Sequence, residues 1–551
     1  MKPNLFAATA ALVLIAPPLA AAEPSFSAAG VRAHVEFLAD DLLEGRDTGS
    51  RGHRIAAAYV ASQFDALGLK PGGPGGGWYQ TVPMQIATLG PKGARVTIAG
   101  PAGSRSWENA TEVLVGPSQT ERDQSVTAPM VFAGYGITSA PLGIDDYRGL
   151  DVRGKIVVVL QGSPIGLPSE IAAHLGSEKA RIAEAHGAVG VITVGTTLSL
   201  KTRPWAAVVR NAATPRYTWV ATDGRANVDA PGVRVSANAD GAAAEALFAG
   251  ASRTLAAIRA EADRKNGRPA GFALKTTATI ERHSDWQRIE SPEVIGVLPG
   301  TDPKLKGEYV ILMAHLDHLG ISPARPGDKP DADRINNGAL DNAAGVATML
   351  EAARAFVQSG TPPRRSVMFI ANTGEEKGLL GAGYFAHYPT VPEAQIASVV
   401  DLDMPLMLYP FTDVIAFGAD HSTLAKAVAR AAGSMGVKLS PDPMPEESIF
   451  VRSDHYRFVQ QGVPAILLAT GFANGGAAKW KDFLGNYYHS PRDDMNQKID
   501  WNAGARYAEL NYRISRELAD EDQRSQWYQG DFFGNLYAPN APKAPADGAA
   551  K

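Results

Sequence analysis

Between residues 28 and 69 apolar side chains recur at helical spacing: Val35, Leu38 and Leu42 first, then Ala56, Tyr59, Val60, Phe64 and Leu67 after the break GRDTGSRG. That period predicts two helices joined by a turn. The glycine-rich run PGGPGGGWYQ follows as a loop, and alternation over 94–98 and 112–115 predicts short strands. From about residue 128 the texture changes to MVFAGYG, KIVVVLQG, a helical stretch at 178–185 and AVGVITVG, a compact β/α/β unit. Residues 253–268 are charged and helix-like, and a new series of strands opens at 294–297, so the chain is expected to return to its first domain near residue 275.

The C-terminal half alternates apolar strands at 309–314, 366–371, 397–402 and 464–469 with amphipathic helices such as 343–357 and 421–432. Such alternation predicts an α/β fold with a mostly parallel central sheet flanked by helices, and the return near residue 275 makes the preceding unit a smaller inserted domain, β-rich by the resemblance given below. The expected division is 23–125 and 276–530 for the main domain, 126–275 for the insertion, and 531–551 for a disordered tail ending in APNAPKAPADGAAK.

Composition narrows the chemistry. Across 551 residues, 53 basic and 57 acidic side chains leave a formal charge of −4, which argues against nucleic acid held on a basic surface. The chain has no cysteine, so thiol nucleophiles, disulfides, zinc ribbons and iron–sulfur clusters are excluded and any metal must be held by His, Asp and Glu. There is no HExxH and no GxSxG. The N-terminus combines Lys2, an apolar stretch from 5 to 16, Pro17-Pro18 and Ala20-Ala21-Ala22. This reads as a signal peptide, residues 1–22, cleaved after Ala22, which predicts an exported protein, periplasmic or extracellular, with no stable membrane insertion afterwards.

Strand ends in the second half finish in polar clusters: His315-Leu316-Asp317, Glu375-Glu376, Asp403, and Tyr488-His489 in a later loop. Ligands collect at such carboxyl ends. Asp341 and Asn342 precede the helix at 343–357 and can present a further carboxylate. The set suits two divalent ions about 3.5 to 4 Å apart, which need one bridging carboxylate plus one His and one carboxylate each. Asp341 is the natural bridge, and of the adjacent Glu375 and Glu376 one can bind metal while the other sits beside the attacking water. Asp317 is placed to hold the His315 imidazole tautomer, and Asp493 to do the same for His489. His318 and His455 either line the pocket or hydrogen-bond at a loop, and Asp454 reads as a helix cap. His34, His174, His283 and His421 read as structural or solvated.

The motifs HLDHLG, DNAAGVA, GEEKGLLGA, DLDMPL, VRSDHYRFVQQGVP and YHSPRDD resemble those of the M28 zinc peptidases, and LLEGRDTGSRG is similar to the segment that opens the catalytic domain in that family. Residues 126–275 resemble an inserted protease-associated (PA) domain, through MVFAGYGI, DVRGKIVVVLQG and AEAHGAVGVITVG. The resemblance implies two zinc ions, one on His315, Asp341 and Asp403 and the other on Asp341, Glu376 and His489, with Glu375 as general base. It implies further an oxyanion-stabilising Tyr488, a substrate-contacting Arg452 and a cis peptide after Asp341. The expected activity is an aminopeptidase acting on peptides. Rival readings on the same scaffold are a carboxypeptidase for acidic C-terminal residues, a glutaminyl cyclase, and a non-catalytic receptor or scaffold. Residue preference, native metal and oligomeric state are left open.

Overall fold

A computed structural model of the chain describes residues 24–210, 212–324 and 327–546. The proposed signal segment lies outside the described residues. Two helices open the described chain, Ala28–Leu38 and Arg51–Ala66, started by Ser27 and Ser50, whose hydroxyls accept from the Gly30 and His53 amides. Such caps satisfy amides that have no partner within the helix. Val31, Val35 and Leu38 of the first helix and Val60 and Phe64 of the second are buried in the main core.

The main sheet runs in parallel through Ser366–Asn372, Tyr309–His315, Ile396–Asp401 and Ala465–Thr470, with Asp413–Phe417 antiparallel beyond the last. Every residue of Ser366–Asn372 is buried. Helices cover both faces of a parallel sheet, which is why these strands read as unbroken apolar runs. Helices Ala28–Leu38, Ala344–Gln358 and Trp501–Asp520 pack against one another on the sheet. Parallel order brings the ends of Tyr309–His315, Ser366–Asn372 and Ile396–Asp401 to one rim, where His315, the Glu375 loop and Asp403 follow.

The insertion has its own parallel strands, Ile156–Leu160, Gly190–Val194 and Val235–Ala239, with helix Lys179–Ala185 between the first two. Phe132, Val158, Ile192 and Val235 contribute to a second core. Among the described residues one strand runs through both cores. The expected return near 275 instead falls inside one strand, Phe272–Leu298, which pairs with Asp123–Phe132 at its start and Ser366–Asn372 at its end. Tyr79–Gly100 pairs antiparallel along it, from Thr277↔Ala99 to Val294↔Tyr79, so the short strand expected at 94–98 is the end of a 22-residue one.

The tail expected from residue 531 is corrected. Phe532–Tyr537 is a helix capped by Asp531, Phe533 is fully buried, and Ala544 bridges back to Tyr528. The aromatic residues before the Pro/Ala run have a surface to pack on, which composition alone does not reveal. Residues 547–551 lie outside the described residues. No helix among the described residues is long and apolar enough to cross a membrane.

Candidate metal centre

Six residues expected to act together meet at the sheet rim. His315 ends its strand, fully buried, with Nε2 3.2 Å from Asp341 Oδ1 and 3.2 Å from Asp403 Oδ1. His489 Nε2 lies 3.3 Å from Asp341 Oδ2 and 3.3 Å from Glu376 Oε2. Each oxygen of Asp341 therefore faces a different imidazole, the arrangement a bridging carboxylate requires. Ligands about 2.0 to 2.1 Å from a tetrahedral ion sit about 3.3 Å from each other, which these separations match.

The tautomer of His315 agrees. Its Nδ1–H donates to a carbonyl at 3.0 Å, which leaves Nε2 as the ring atom facing the carboxylates. That carbonyl belongs to the backbone of Asp317, so the expected pairing of the Asp317 carboxylate with the imidazole is corrected. The Asp317 side chain instead accepts from Thr48 Oγ1 at 2.8 Å and from the Glu375 amide at 3.2 Å, and so anchors the loop that carries Glu375 and Glu376. A residue two positions along an ending strand can offer its carbonyl backwards while its side chain points to the neighbouring strand.

Asp493 is corrected in the same way. It does not contact His489; its carboxylate accepts from the Leu340 and Asp341 amides at 3.0 Å each and from Gln497 at 2.6 Å, fixing the backbone that delivers the bridge. Burial pushes its pKa up to about 6. Partners of this kind tune metal affinity by about 10- to 100-fold, so Asp493→Ala is expected to weaken zinc binding by that factor while leaving His489 in place. Metal titration of the chelated protein checks it.

The Asp341–Asn342 peptide is cis, as the resemblance implies. Asn342 was not singled out from sequence as a binding residue, yet its amide ties the bridge to the Asp403 loop: Oδ1 accepts from Gly345 and Met404 amides, and Nδ2 donates to Leu402 O at 2.9 Å. A Cβ on Gly345 would come within 2.1 Å of both Asn342 Oδ1 and Leu402 O, so glycine is required there.

Other functional residues were also missed. Ser453 Oγ lies 2.8 Å from Asp403 Oδ2 and 2.8 Å from Asp401 Oδ2, clamping one ligand carboxylate to a buried neighbour. Arg46, within GRDTGSRG, is fully buried; its guanidinium donates to the carbonyls of Leu316, Leu38, Asn337 and Gly338. It supports the turns before Asp341 and after His315 at once. Burial pulls its pKa down to about 10, which still leaves it a cation, opposed by Asp493, Asp317, Asp341 and Glu376. The signal in sequence was a single arginine flanked by glycine, which carries no hint of burial. His318 is buried with Nδ1 2.7 Å from Glu376 Oε1, in contact with the centre although not aligned for a hydrogen bond. Asp454 makes no cap; its side chain accepts from Asn372.

Charge in the centre is unbalanced toward the negative. Burial raises Glu375 well above the ordinary carboxylate range, with Asp403 and Glu376 adding to it against the pull of His315. Burial also raises Asp403. Burial disfavours the charge on Asp341, yet the His315 and His489 rings beside it hold its pKa well below the usual value. Burial likewise opposes a charged His315, but Asp403 and Asp341 hold its pKa well above the usual imidazole value. Four carboxylates share the space with imidazoles as their nearest cations, and Glu376 Oε1 has no hydrogen-bond partner. Divalent ions fit both the charge and the spacing of the donors.

A cavity of about 240 Å³ opens beside Asp341, Glu375 and Asp403. Tyr488 lines it, stacked on His489 at 3.7 Å, and burial raises its hydroxyl pKa further above the usual tyrosine value. Phe417, Ile449, Leu467, Trp480 and Leu484 form an apolar wall. Arg452 is placed at the rim, half exposed, with Nη1 3.0 Å from Glu447 Oε2. Among the described lining residues it is the one basic side chain, and it is already paired.

Residues 293–515 match Peptidase family M28, and residues 126–244 match the PA domain. An aminopeptidase from Aneurinibacillus sp. strain AM-1 has the same fold at a TM-score of 0.50, 20% identity, and 91% and 96% coverage of this and that chain. A probable zinc metalloprotease of Pyrenophora teres f. teres is 33% identical over 163 residues, 28% of this chain and 32% of that one. The alkaline phosphatase isozyme conversion protein of Escherichia coli is 38% identical over 112 residues, 19% and 29% of the two chains. The chain thus matches about a third of the length of these curated relatives.

Proposed function

We propose that this chain, whose residues 293–515 are an M28 peptidase domain, is an exported di-zinc aminopeptidase that releases N-terminal residues from peptides. The observation that carries the reading is Asp341, with one oxygen 3.2 Å from His315 Nε2 and the other 3.3 Å from His489 Nε2. His315, Asp341 and Asp403 would hold one ion, and Asp341, Glu376 and His489 the other. When bound, such a pair lowers the pKa of a shared water and polarises a carbonyl beside it.

The chain's own residues do the rest. Glu375, raised by burial, takes the proton of the attacking water and returns it to the leaving amine, the two halves of general base and acid catalysis by one group. Tyr488, partly buried and lining the same cavity, donates to the oxyanion of the tetrahedral intermediate. The cavity's carboxylates suit a free α-amine, and its apolar wall suits a leucine-sized side chain. A carboxypeptidase would need a free cation for the terminal carboxylate, whereas Arg452 is paired with Glu447. Export rests on the N-terminal sequence pattern.

The test is hydrolysis of one leucine-leading peptide, with its N-terminus free or acetylated, before and after chelation. Cleavage of the free form alone, abolished by chelation and restored by zinc, is expected. Equal cleavage of the acetylated peptide would overturn the aminopeptidase reading.

A further inference from the structure

The segment from Glu447 to Ser453 builds one side of the substrate cavity. Glu447, Ile449, Arg452 and Ser453 line it, and Ser453 also holds Asp403. Ser453 ties the segment's end to the sheet through Asp401 and Asp403, and ahead of it the chain forms two short helical turns, Pro445–Glu447 and Ile449–Val451, with Ser448 at a φ of 53° between them. Phe450 points the other way from its neighbours, into the protein, where it is 1% exposed. Its ring packs 5.1 Å from His421, 5.0 Å from Phe533 and 5.6 Å from Tyr456.

Each of those three residues is fastened to another part of the chain. His421 Nε2 lies 2.6 Å from Glu170 Oε2, on helix Ser169–Ser177 of the PA domain, and its Nδ1 lies 2.6 Å from Asp531 Oδ2, the cap of helix Phe532–Tyr537. The Tyr456 hydroxyl is hydrogen-bonded to His174 Nδ1 of the same PA helix at 2.8 Å. Phe533 and Tyr537 pack edge-on against the His174 ring. Burial pulls the His174 pKa down to about 4, which keeps the ring neutral.

We propose that the PA domain positions the wall of the substrate cavity, with His421 as the pin: Glu170 from the PA helix and Asp531 from the C-terminal segment grip the His421 ring, and that ring seats Phe450, fixing the loop that carries Ile449, Arg452 and Ser453. Glu170, His421 and Asp531 are positioning residues. They touch neither substrate nor metal ligands. The inference rests on the aminopeptidase reading for what the cavity binds, but the packing that fixes the loop does not.

The groups facing His421 are the Glu170 and Asp531 carboxylates and the Phe450 and Phe533 rings. Burial opposes its charge, yet the bonds to Asp531 and Glu170 raise its pKa to about 9. A raised histidine pKa means the grip is complete below the free value of about 6.5 and is lost as pH rises through about 9.

The experiment compares the zinc-loaded full chain with its Glu170→Ala variant at neutral pH. Amide exchange over residues 445–453 is expected to rise in the variant. KM for a leucine-leading peptide is expected to rise several-fold, with kcat and bound zinc held within about twofold. The ratio of variant to wild-type KM is expected to close toward one at pH 10, where the wild type has released its own grip, and taking the ratio cancels titration of the substrate amine. Asp531→Asn, which keeps the cap's shape, is expected to give the same pattern more weakly. Unchanged exchange in Glu170→Ala would overturn the proposal, as would faster exchange with unchanged KM. If the wild type cleaves no peptide, the functional reading fails while exchange still decides whether the PA helix holds the loop.

Discussion

Glu375→Gln is expected to lower kcat by about 10²- to 10⁴-fold while both zinc ions remain bound. The substitution keeps the side chain's shape and removes only its ability to accept and return a proton. Glu375 lines the cavity beside Asp341 and Asp403, and burial raises its pKa, as a proton carrier requires, whereas the oxygens of Glu376 face the His489 and His318 rings. The measurement is steady-state turnover of the leucine-leading peptide together with the metal content of the same sample. Full turnover in the variant would remove Glu375 from the mechanism, and loss of a metal would make it a ligand instead.

Asp341→Asn is expected to remove turnover altogether and to reduce bound zinc from two ions to one or fewer. One carboxylate serves both imidazoles, Oδ1 toward His315 and Oδ2 toward His489. An amide has a single acceptor oxygen and carries no charge, so it cannot complete both sites. The fold should persist in the variant, because the surrounding carbonyls are held by Arg46 and the Asp341 amide by Asp493. Metal content measured beside circular dichroism separates the two effects, and retention of two tightly bound ions would show that Asp341 is not the bridge.

The candidate metal ligands were legible in part because a metal centre needs particular donor types at strand ends, and strand ends are visible as apolar runs that stop. His315, Asp403 and the Glu375-Glu376 pair follow from that rule, whereas Asp341 precedes a helix, His489 lies in a loop, and the choice of Glu376 as ligand is what the family resemblance implies. Their supporting partners were not legible. Asp317 and Asp493 were recognised as supports but given the wrong partners, since adjacency in sequence suggested the nearest imidazole while the structure used them to hold backbone amides. Arg46, Asn342 and Ser453 acquire their roles through contacts across hundreds of residues or between separate loops. His421 reads from sequence as structural or solvated, and its two carboxylate partners, Glu170 and Asp531, arrive from two other segments.

Local pattern alone determined the alternation of strands and helices, the mostly parallel sheet, the change of texture that marks an insertion and a pool of His and carboxylate donors. These depend on residue type and short-range period, which the chain carries within any window of ten or twenty positions. Tertiary structure decided the rest: the Tyr79–Gly100 and Phe272–Leu298 pair that runs through both cores, the helix at Phe532–Tyr537, and the bonds of Tyr456 and His421 to helix Ser169–Ser177. Each depends on burial and partnership between residues far apart in sequence, and a hydrogen bond or buried ring takes its meaning from what the fold sets against it.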